Sequence, residues 1–172
     1  MNISEQVYLS QVIVKKPGVF SSTYEFFLED KPVAKLKKKG LGNKAELTAG
    51  NRQWFIRSRG FWKRYIEIND IQSPAINARC DSGRNFRLLF TTPDGKKYLF
   101  KRKSAWKGTW LWQDEYQQTV MEMKYVHFKF SHCGRINFYQ PVTDDFYLLM
   151  LLGWFQVLTY QAHMAAAAGG AS

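Results

Sequence analysis

The sequence predicts a mainly β domain in which about twelve antiparallel strands wrap around one apolar C-terminal helix. Three observations lead to this fold class. Short turn signals recur at close intervals up to residue 142, as they do between antiparallel strands. Aromatic residues form 16% of the 172 residues, a high share that favours strands. The segment 146–160 is apolar except for Gln156 and Thr159, and a helix of that composition needs a covering on every side.

The turn signals divide residues 5–139 into strand-length segments, and several of these segments alternate between apolar and polar positions. Trp54 and Ile56 share one face of their segment, while Arg57 and Arg59 share the other. This alternation is typical of half-buried strands. The predicted strands are 5–14, 23–29, 32–37, 45–49, 52–58, 61–68, 74–80, 85–91, 97–103, 108–113, 118–125 and 126–139, the last of which allows division into two.

The C-terminal segment predicts a helix over residues 144–164. Thr143, Asp144 and Asp145 supply an N-cap and the negative charge that favours a helix start. The densely apolar part is shorter than the roughly 20 residues of a membrane span, so we expect a helix buried in protein, with a membrane location as the alternative. Residues 1–164 are predicted to form a single domain, and residues 165–172 a disordered tail.

Basic residues dominate the charge balance. The chain has 25 Lys and Arg against 14 Asp and Glu, a formal net charge of +11. Segment 35–64 holds ten of the basic residues and only one acid, Glu46. Such concentration favours a binding face for an anionic partner over evenly spread solubilising charge. If strand neighbours combine these groups into one surface, the anion- or lipid-binding residues are Lys35, Lys37, Lys38, Lys39, Arg57, Arg59, Lys63, Arg64, Lys101 and Lys103.

The sequence predicts no catalytic site, metal or cofactor. The formal dinucleotide pattern in segment 40–45 lacks the strand and helix that it requires, which indicates a turn. His132 and Cys133 are adjacent and therefore point to opposite faces of a strand, and a zinc site needs four ligands. Cys80 is the only other cysteine, so a secreted disulfide framework is excluded and a cytoplasmic location is expected. The N-terminus does not have the pattern of a signal peptide.

The order of elements carries a resemblance to a known family. It rests on the hairpin segment 92–103, the segment from Trp106 to Trp112, and the helix that begins at Asp144 and Asp145. In these features the chain resembles the tubby C-terminal-like superfamily, whose members include phospholipid scramblases and, closest in length, the LURP-one-related proteins. The resemblance implies a closed twelve-stranded barrel plugged by the helix. It also implies recognition of membranes and phosphoinositides rather than turnover.

These observations favour two functions over a third, an enzyme of unrecognised type with a pocket at the mouth of the barrel. The first is a non-enzymatic module that binds anionic phospholipid or phosphoinositide headgroups through the basic face, peripherally and without crossing the membrane. The alternative is a nucleic-acid-binding protein that uses the same face and stacks bases on aromatic rings. In strands, tryptophan is more often a core residue than a stacking platform. The candidates for stacking are Trp54, Trp62, Trp106, Trp110 and Trp112.

Overall fold

The computed structural model describes residues 9–40, 42–60, 64–72, 77–104, 106–129 and 131–169. These residues form twelve strands, one short 3-10 turn and one long helix. The strands are β1 (Ser10–Lys15), β2 (Thr23–Leu28), β3 (Lys31–Lys39), β4 (Lys44–Ala49), β5 (Arg52–Arg59), β6 (Arg64–Asp70), β7 (Asn77–Ser82), β8 (Leu88–Thr91), β9 (Lys97–Ser104), β10 (Thr109–Gln113), β11 (Thr119–Lys129) and β12 (His132–Phe138). The 3-10 turn is Arg84–Phe86, and the helix α1 is Asp144–Gly169.

The predicted fold class is confirmed. Each strand pairs antiparallel with the next strand along the chain, and β12 pairs with β1, so that the sheet closes into a barrel. The closure is in register over most of its length, from Ser10 opposite Phe138 to Val14 opposite Gly134. All twelve predicted strands correspond to an observed strand, except that residues 5–8, 61–63, 74–76 and 130 of the prediction lie outside the described residues.

Most predicted boundaries in the described residues agree with the structure within two residues, and three differ by more. Strand β8 begins at Leu88 instead of residue 85, because Asn85 and Phe86 adopt left-handed backbone conformations in the 3-10 turn. The break between β11 and β12 falls at Ser131, which has a φ of 69°, instead of residues 125–126. Helix α1 continues to Gly169, so residues 165–169 are helical where the prediction has a disordered tail. No described helix has both the length and the hydropathy of a membrane span.

The helix occupies the interior of the barrel. Its residues from Leu148 to Leu158 are all buried, and the inward residues of the strands surround them. The alternation predicted for β5 is confirmed, since Trp54 and Ile56 are buried while Arg59 is exposed. The apolar helix is therefore removed from water by the same residues that form the inner face of the sheet.

Helix and sheet approach each other closely at two glycines. A Cβ atom on Gly153 of α1 would lie 2.6 Å from the indole Nε1 of Trp112 and 2.7 Å from Cε of Met123. At Gly134 of β12, a Cβ atom would collide with the carbonyl oxygen of Lys124 and come within 2.7 Å of the Trp154 ring. These two glycines set the distance between the helix and the wall formed by β10–β12.

The connections between strands sort into two sets because every strand pair is antiparallel. The even-numbered strands run in the opposite direction to the odd-numbered ones, so alternate connections lie at opposite ends of the barrel. We call one end the exit end, where α1 leaves the barrel; its connections are 16–22, 40–43, 60–63, 83–87, 105–108 and 130–131. The other is the entry end, where α1 begins; its connections are 29–30, 50–51, 71–76, 92–96, 114–118 and 139–143.

The close approach at Gly153 predicts the cost of a single methyl group. We expect Gly153→Ala to lower the free energy of unfolding by about 1–3 kcal/mol, because the added methyl must displace rings in a filled core. Gly18→Ala is the matched control, since nothing lies within 4 Å of a Cβ atom at Gly18. Urea unfolding of both variants measures the difference; equal stabilities would show that the helix does not contact the wall as described.

Candidate functional site

The two ends of the barrel carry opposite charge. At the exit end, the described residues of the connections and the terminal residue of each flanking strand include no Asp or Glu, and the first acid inward is Asp81, one residue inside β7. Their basic residues include Lys15, Lys16, Lys39, Lys44, Arg59, Arg64, Arg84, Arg87 and Lys107. The entry end holds eight of the fourteen acids of the chain, which are Glu29, Asp30, Asp70, Asp94, Asp114, Glu115, Asp144 and Asp145. The net positive charge of the protein is thus concentrated at the exit end.

Six of the predicted binding residues lie at the exit end or within two residues of it along their strands. They lie on β3, β5 and β6, which together with β4 are four consecutive strands of the barrel. These residues are Lys37, Lys38, Lys39, Arg57, Arg59 and Arg64. Lys35 lies farther along β3, towards the entry end, opposite Thr48. Lys63 lies outside the described residues.

Lys101 and Lys103 occupy a different side of the barrel. Both are on β9, which is six strands away from β3 in a barrel of twelve. The neighbours of β9 are β8 and β10, so these lysines do not continue the strand surface of Lys37 and Arg57 as the sequence reasoning had assumed. They add positive charge to the exit end from the opposite side of the barrel opening.

Several predicted cations are engaged with carboxylates. Salt bridges join Lys35 to Glu25 at 3.6 Å, Lys39 to Glu46 at 3.1 Å, Arg59 to Glu67 at 3.1 Å and Lys103 to Glu122 at 2.6 Å. Exposed pairs of this kind contribute little to stability and compete weakly with a multivalent anion. In the part of the chain that the structure describes, no carboxylate pairs with Lys37, Lys38, Lys44, Arg57 or Arg64.

Like charges oppose one another directly across the strands near the exit end. Lys39 of β3 faces Lys44 of β4, and Lys44 faces Arg57 of β5. Directly opposed like charges destabilise a sheet. Arg57 also has a buried Nε without a hydrogen-bond partner. The salt bridge of Lys39 to Glu46 and the position of Glu67 opposite Arg57 offset part of this repulsion, and an anion placed against the row would offset more of it.

A second crowded pair lies at the rim of the opening. Lys38 is half-buried, and burial followed by the nearby charge of Lys16 lowers the pKa of the Lys38 ammonium. The folded state consequently penalises the charged form of this side chain, and a nearby anion would relieve that penalty.

Exposed apolar side chains accompany the charge. In the β1–β2 connection Phe20 is fully exposed and Val19 is mostly exposed, and in the β9–β10 connection Trp106 is 99% exposed. The final turns of α1 leave the barrel at the same end and expose Met164 together with the alanines that follow. Apolar tips set among basic residues are the arrangement by which proteins enter the interface of an anionic bilayer.

Only some residues of the exit end were predicted from the sequence. Lys16, Arg84, Arg87, Lys107 and Phe20 were missed, because a count of charges along the chain favours one dense window. The signal that could have found them is the alternation of connections. With twelve antiparallel strands assigned, Lys16, Lys63, Arg84, Arg87 and Lys107 all fall in alternate connections, and that pattern would have grouped them at one end.

A cavity of about 1000 Å³ at the entry end has no comparable charge bias. Its lining combines Glu25 and Asp144 with Lys35 and Arg52. Arg52 is held by Asp70 at 2.9 Å. Because these charges cancel, this cavity does not select an anion.

The cysteines are core residues in different walls of the barrel. Cys80 lies on β7 and Cys133 on β12, and both side chains are buried. Burial raises the pKa of both thiols. They are therefore protonated at neutral pH, whereas a nucleophile or metal ligand needs the thiolate.

Comparisons with protein-family models, with curated proteins and with solved structures found no match to this chain.

The repulsion between Lys38 and Lys16 at the rim predicts a stabilising substitution. Lys38→Met should raise the melting temperature, because it removes an ammonium whose pKa is lowered in the folded state. The increase should be smaller at high salt, since ions screen the repulsion from Lys16. In the wild type, the same group should make stability rise with pH from the lowered pKa of Lys38 up to the ordinary lysine pKa. Thermal unfolding at two salt concentrations tests this, with Lys31→Met at the entry end as control. A Lys38→Met variant less stable than that control would contradict the account.

Proposed function

We propose that this protein is a non-enzymatic module that binds anionic membrane surfaces peripherally through its exit end. The observation that carries the proposal is the coincidence of an acid-free set of basic connections with two fully exposed aromatic side chains, Phe20 and Trp106. Electrostatic attraction brings the exit end to the lipid headgroups, and the aromatic tips enter the interface. The cytoplasmic leaflet is the anionic surface that a protein of this charge would meet.

The charge distribution also orients the protein. Each basic residue near a negative leaflet contributes on the order of 1 kcal/mol, and the effect decays over a Debye length of about 8–10 Å. Cations spread around one opening act together only when that opening faces the membrane. The acids of the entry end then point away from the lipid and are not repelled. The barrel axis is accordingly expected to stand upright on the surface.

Apolar contacts complement this attraction. Tryptophan rings favour the headgroup level of a bilayer, where an apolar body and a polar N–H are both satisfied. The exposed end of α1, residues 162–169, extends roughly 12 Å at 1.5 Å per residue. Its apolar part, from Met164 to Ala168, carries no charge and matches the shallow depth reached by interfacial segments.

The proposed function includes a relation to the tubby C-terminal-like superfamily. A closed twelve-stranded barrel with a buried C-terminal helix supports this relation, because the resemblance implied that architecture. Phosphoinositide headgroups, which the resemblance also implied, carry several negative charges and suit a surface rich in unpaired Lys and Arg. The superfamily assignment and the phosphoinositide preference are both part of the proposal.

Nucleic acid is the alternative partner, and the aromatic residues favour it less. Of the tryptophans considered for base stacking, Trp54, Trp110 and Trp112 are buried in the core and unavailable to bases. Trp62 lies outside the described residues, which leaves Trp106 as an exposed ring. A single-strand binder normally stacks successive bases on neighbouring rings. Competition by an oligonucleotide in the vesicle experiment below distinguishes the two partners.

Charge reversal at the exit end tests the electrostatic part of the proposal. Lys44→Glu with Lys107→Glu should weaken binding to vesicles that contain phosphatidylserine by more than tenfold, since about 1 kcal/mol is lost per basic residue even before repulsion is added. The matched control is Lys31→Glu with Lys97→Glu, which changes the same charge at the entry end. Co-sedimentation at low salt measures both; equal losses, or equal wild-type binding to neutral vesicles, would remove the proposal.

The exposed rings of Phe20 and Trp106 predict a component of vesicle binding that persists at high salt. Phe20→Ser with Trp106→Ser should abolish the part of vesicle binding that remains at high salt, because only burial of the apolar rings is insensitive to screening. Ile71→Ser with Tyr116→Ser is the matched control, as both side chains are exposed at the entry end. If the two double variants bind alike at high salt, the rings do not enter the interface.

A further inference from the structure

The exit end contains a cavity beside the helix that the sequence did not indicate. It has a volume of about 820 Å³, within the range of small-molecule sites, and lies between β5–β9 and the side chains of Gln156 and Thr159 on α1. Its lining includes four arginines, Arg64, Arg79, Arg84 and Arg87, and a single acid, Asp81.

Most of this positive charge is available to a ligand. Asp81 is already engaged by Arg79, whose Nε donates to a carboxylate oxygen at 2.8 Å. Over the described residues, Arg64, Arg84 and Arg87 have no carboxylate partner. Guanidinium groups are planar, remain charged at all relevant pH values and bind phosphate oxygens through two parallel hydrogen bonds. Three of them around one cavity are more than a monoanion can satisfy.

The connection that presents two of these arginines has an unusual backbone. Asn85 and Phe86 have φ values of 57° and 61°, a conformation that costs free energy in an aromatic residue. Contacts with α1 hold it in place. Gln156 Nε2 donates to the Phe86 carbonyl oxygen at 3.2 Å, and the Phe86 ring packs edge-on against Tyr160 at 5.1 Å. The helix thereby fixes the connection that carries Arg84 and Arg87.

Besides these arginines and the polar side chains of Ser58, Ser82, Asn85, Gln156 and Thr159, the cavity has an apolar wall. Leu89, which is 44% exposed, and Leu99 face it from the outer surface of β8 and β9, where they are directly paired. Phe86 contributes a ring at the edge of the opening. A ligand that fits has an anionic group for the arginines and a hydrocarbon or aromatic part for the leucines.

We infer that this cavity binds a phosphate monoester attached to an apolar group. A monoester phosphate carries up to two negative charges and three terminal oxygens, which matches three unpaired guanidiniums better than a carboxylate or a sulfate ester does. The inference rests on the proposed function, because it names the headgroup chemistry that the exit end selects. The same chemistry occurs in a free alkyl phosphate and in the headgroup of phosphatidate, and the experiment separates these two sources.

The first arm uses soluble probes. Hexyl phosphate at about pH 8, above the second phosphate pKa of about 6, should bind more tightly than hexyl sulfate or hexanoate. Arg84→Gln with Arg87→Gln should weaken the binding of hexyl phosphate at least about tenfold, since charge-assisted hydrogen bonds are lost. Arg64→Gln, on a separate strand, should weaken it as well. Lys16→Gln with Lys107→Gln removes the same charge from the exit end outside the cavity and should weaken this binding much less than the arginine substitutions do, since neither lysine lines the cavity. Isothermal titration calorimetry provides the affinities.

The second arm uses vesicles of equal surface charge that contain either phosphatidate or phosphatidylserine. Preference for phosphatidate that is lost in Arg84→Gln with Arg87→Gln, but kept in Lys16→Gln with Lys107→Gln, supports the inference with a membrane lipid as the source. Selective binding of hexyl phosphate without that preference supports it with a free ligand as the source.

The inference is overturned if neither arm depends on the cavity arginines, or if hexyl sulfate and hexanoate bind as tightly as hexyl phosphate and both vesicles are bound equally. Binding to phosphatidylserine vesicles that persists in these cases leaves the proposed function intact. Conversely, cavity-dependent binding of hexyl phosphate by a protein that binds no vesicle supports the site and removes the proposed function. Near-ultraviolet circular dichroism of each variant verifies the fold.

Discussion

Covering an apolar helix on every side is the constraint from which the rest of this structure follows. Helix α1 is buried from Leu148 to Leu158 and has no polar stripe that could face water. An open sheet covers only one side of a helix, so the strands must continue until β12 meets β1. The wall approaches the helix closely at Gly153, where a Cβ atom would lie 2.6 Å from Nε1 of Trp112.

Closure has a second consequence, which concerns function. Twelve antiparallel strands in chain order place alternate connections at opposite ends of the barrel. The two ends can therefore differ in charge and in exposed apolar side chains. Basic residues and exposed rings occupy the end where the helix leaves, and most acids occupy the other. This segregation has a stability cost, visible where Lys44 stands between Lys39 and Arg57. Proteins retain such unfavourable charge where a partner supplies the opposite sign, and here an anionic surface would do so.

Local patterns made the elements predictable, whereas the placement of the site required closure. The alternation around Trp54 and Ile56 and the apolar segment before Tyr160 follow from side-chain periodicity, and both are confirmed. The break at Ser131 carries no Gly or Pro signal and was misplaced. That Lys101 lies across the opening from Lys37 depends on how many strands separate them around the barrel, and Arg84 and Arg87 become neighbours of α1 only once the helix is inside. Neither placement can be predicted from a short segment of the sequence.

The most direct test of the central claim is the depth of each end of the barrel in an anionic bilayer. Nitroxide labels on Val19→Cys and Tyr116→Cys would report the exit end and the entry end, while the native Cys80 and Cys133 are buried and shielded from labelling. On vesicles containing phosphatidylserine, the account predicts that the label at position 19 becomes accessible to oxygen in the lipid and protected from a water-soluble nickel complex, while the label at position 116 remains in water. Equal accessibility at the two positions, or the reverse order, would contradict it.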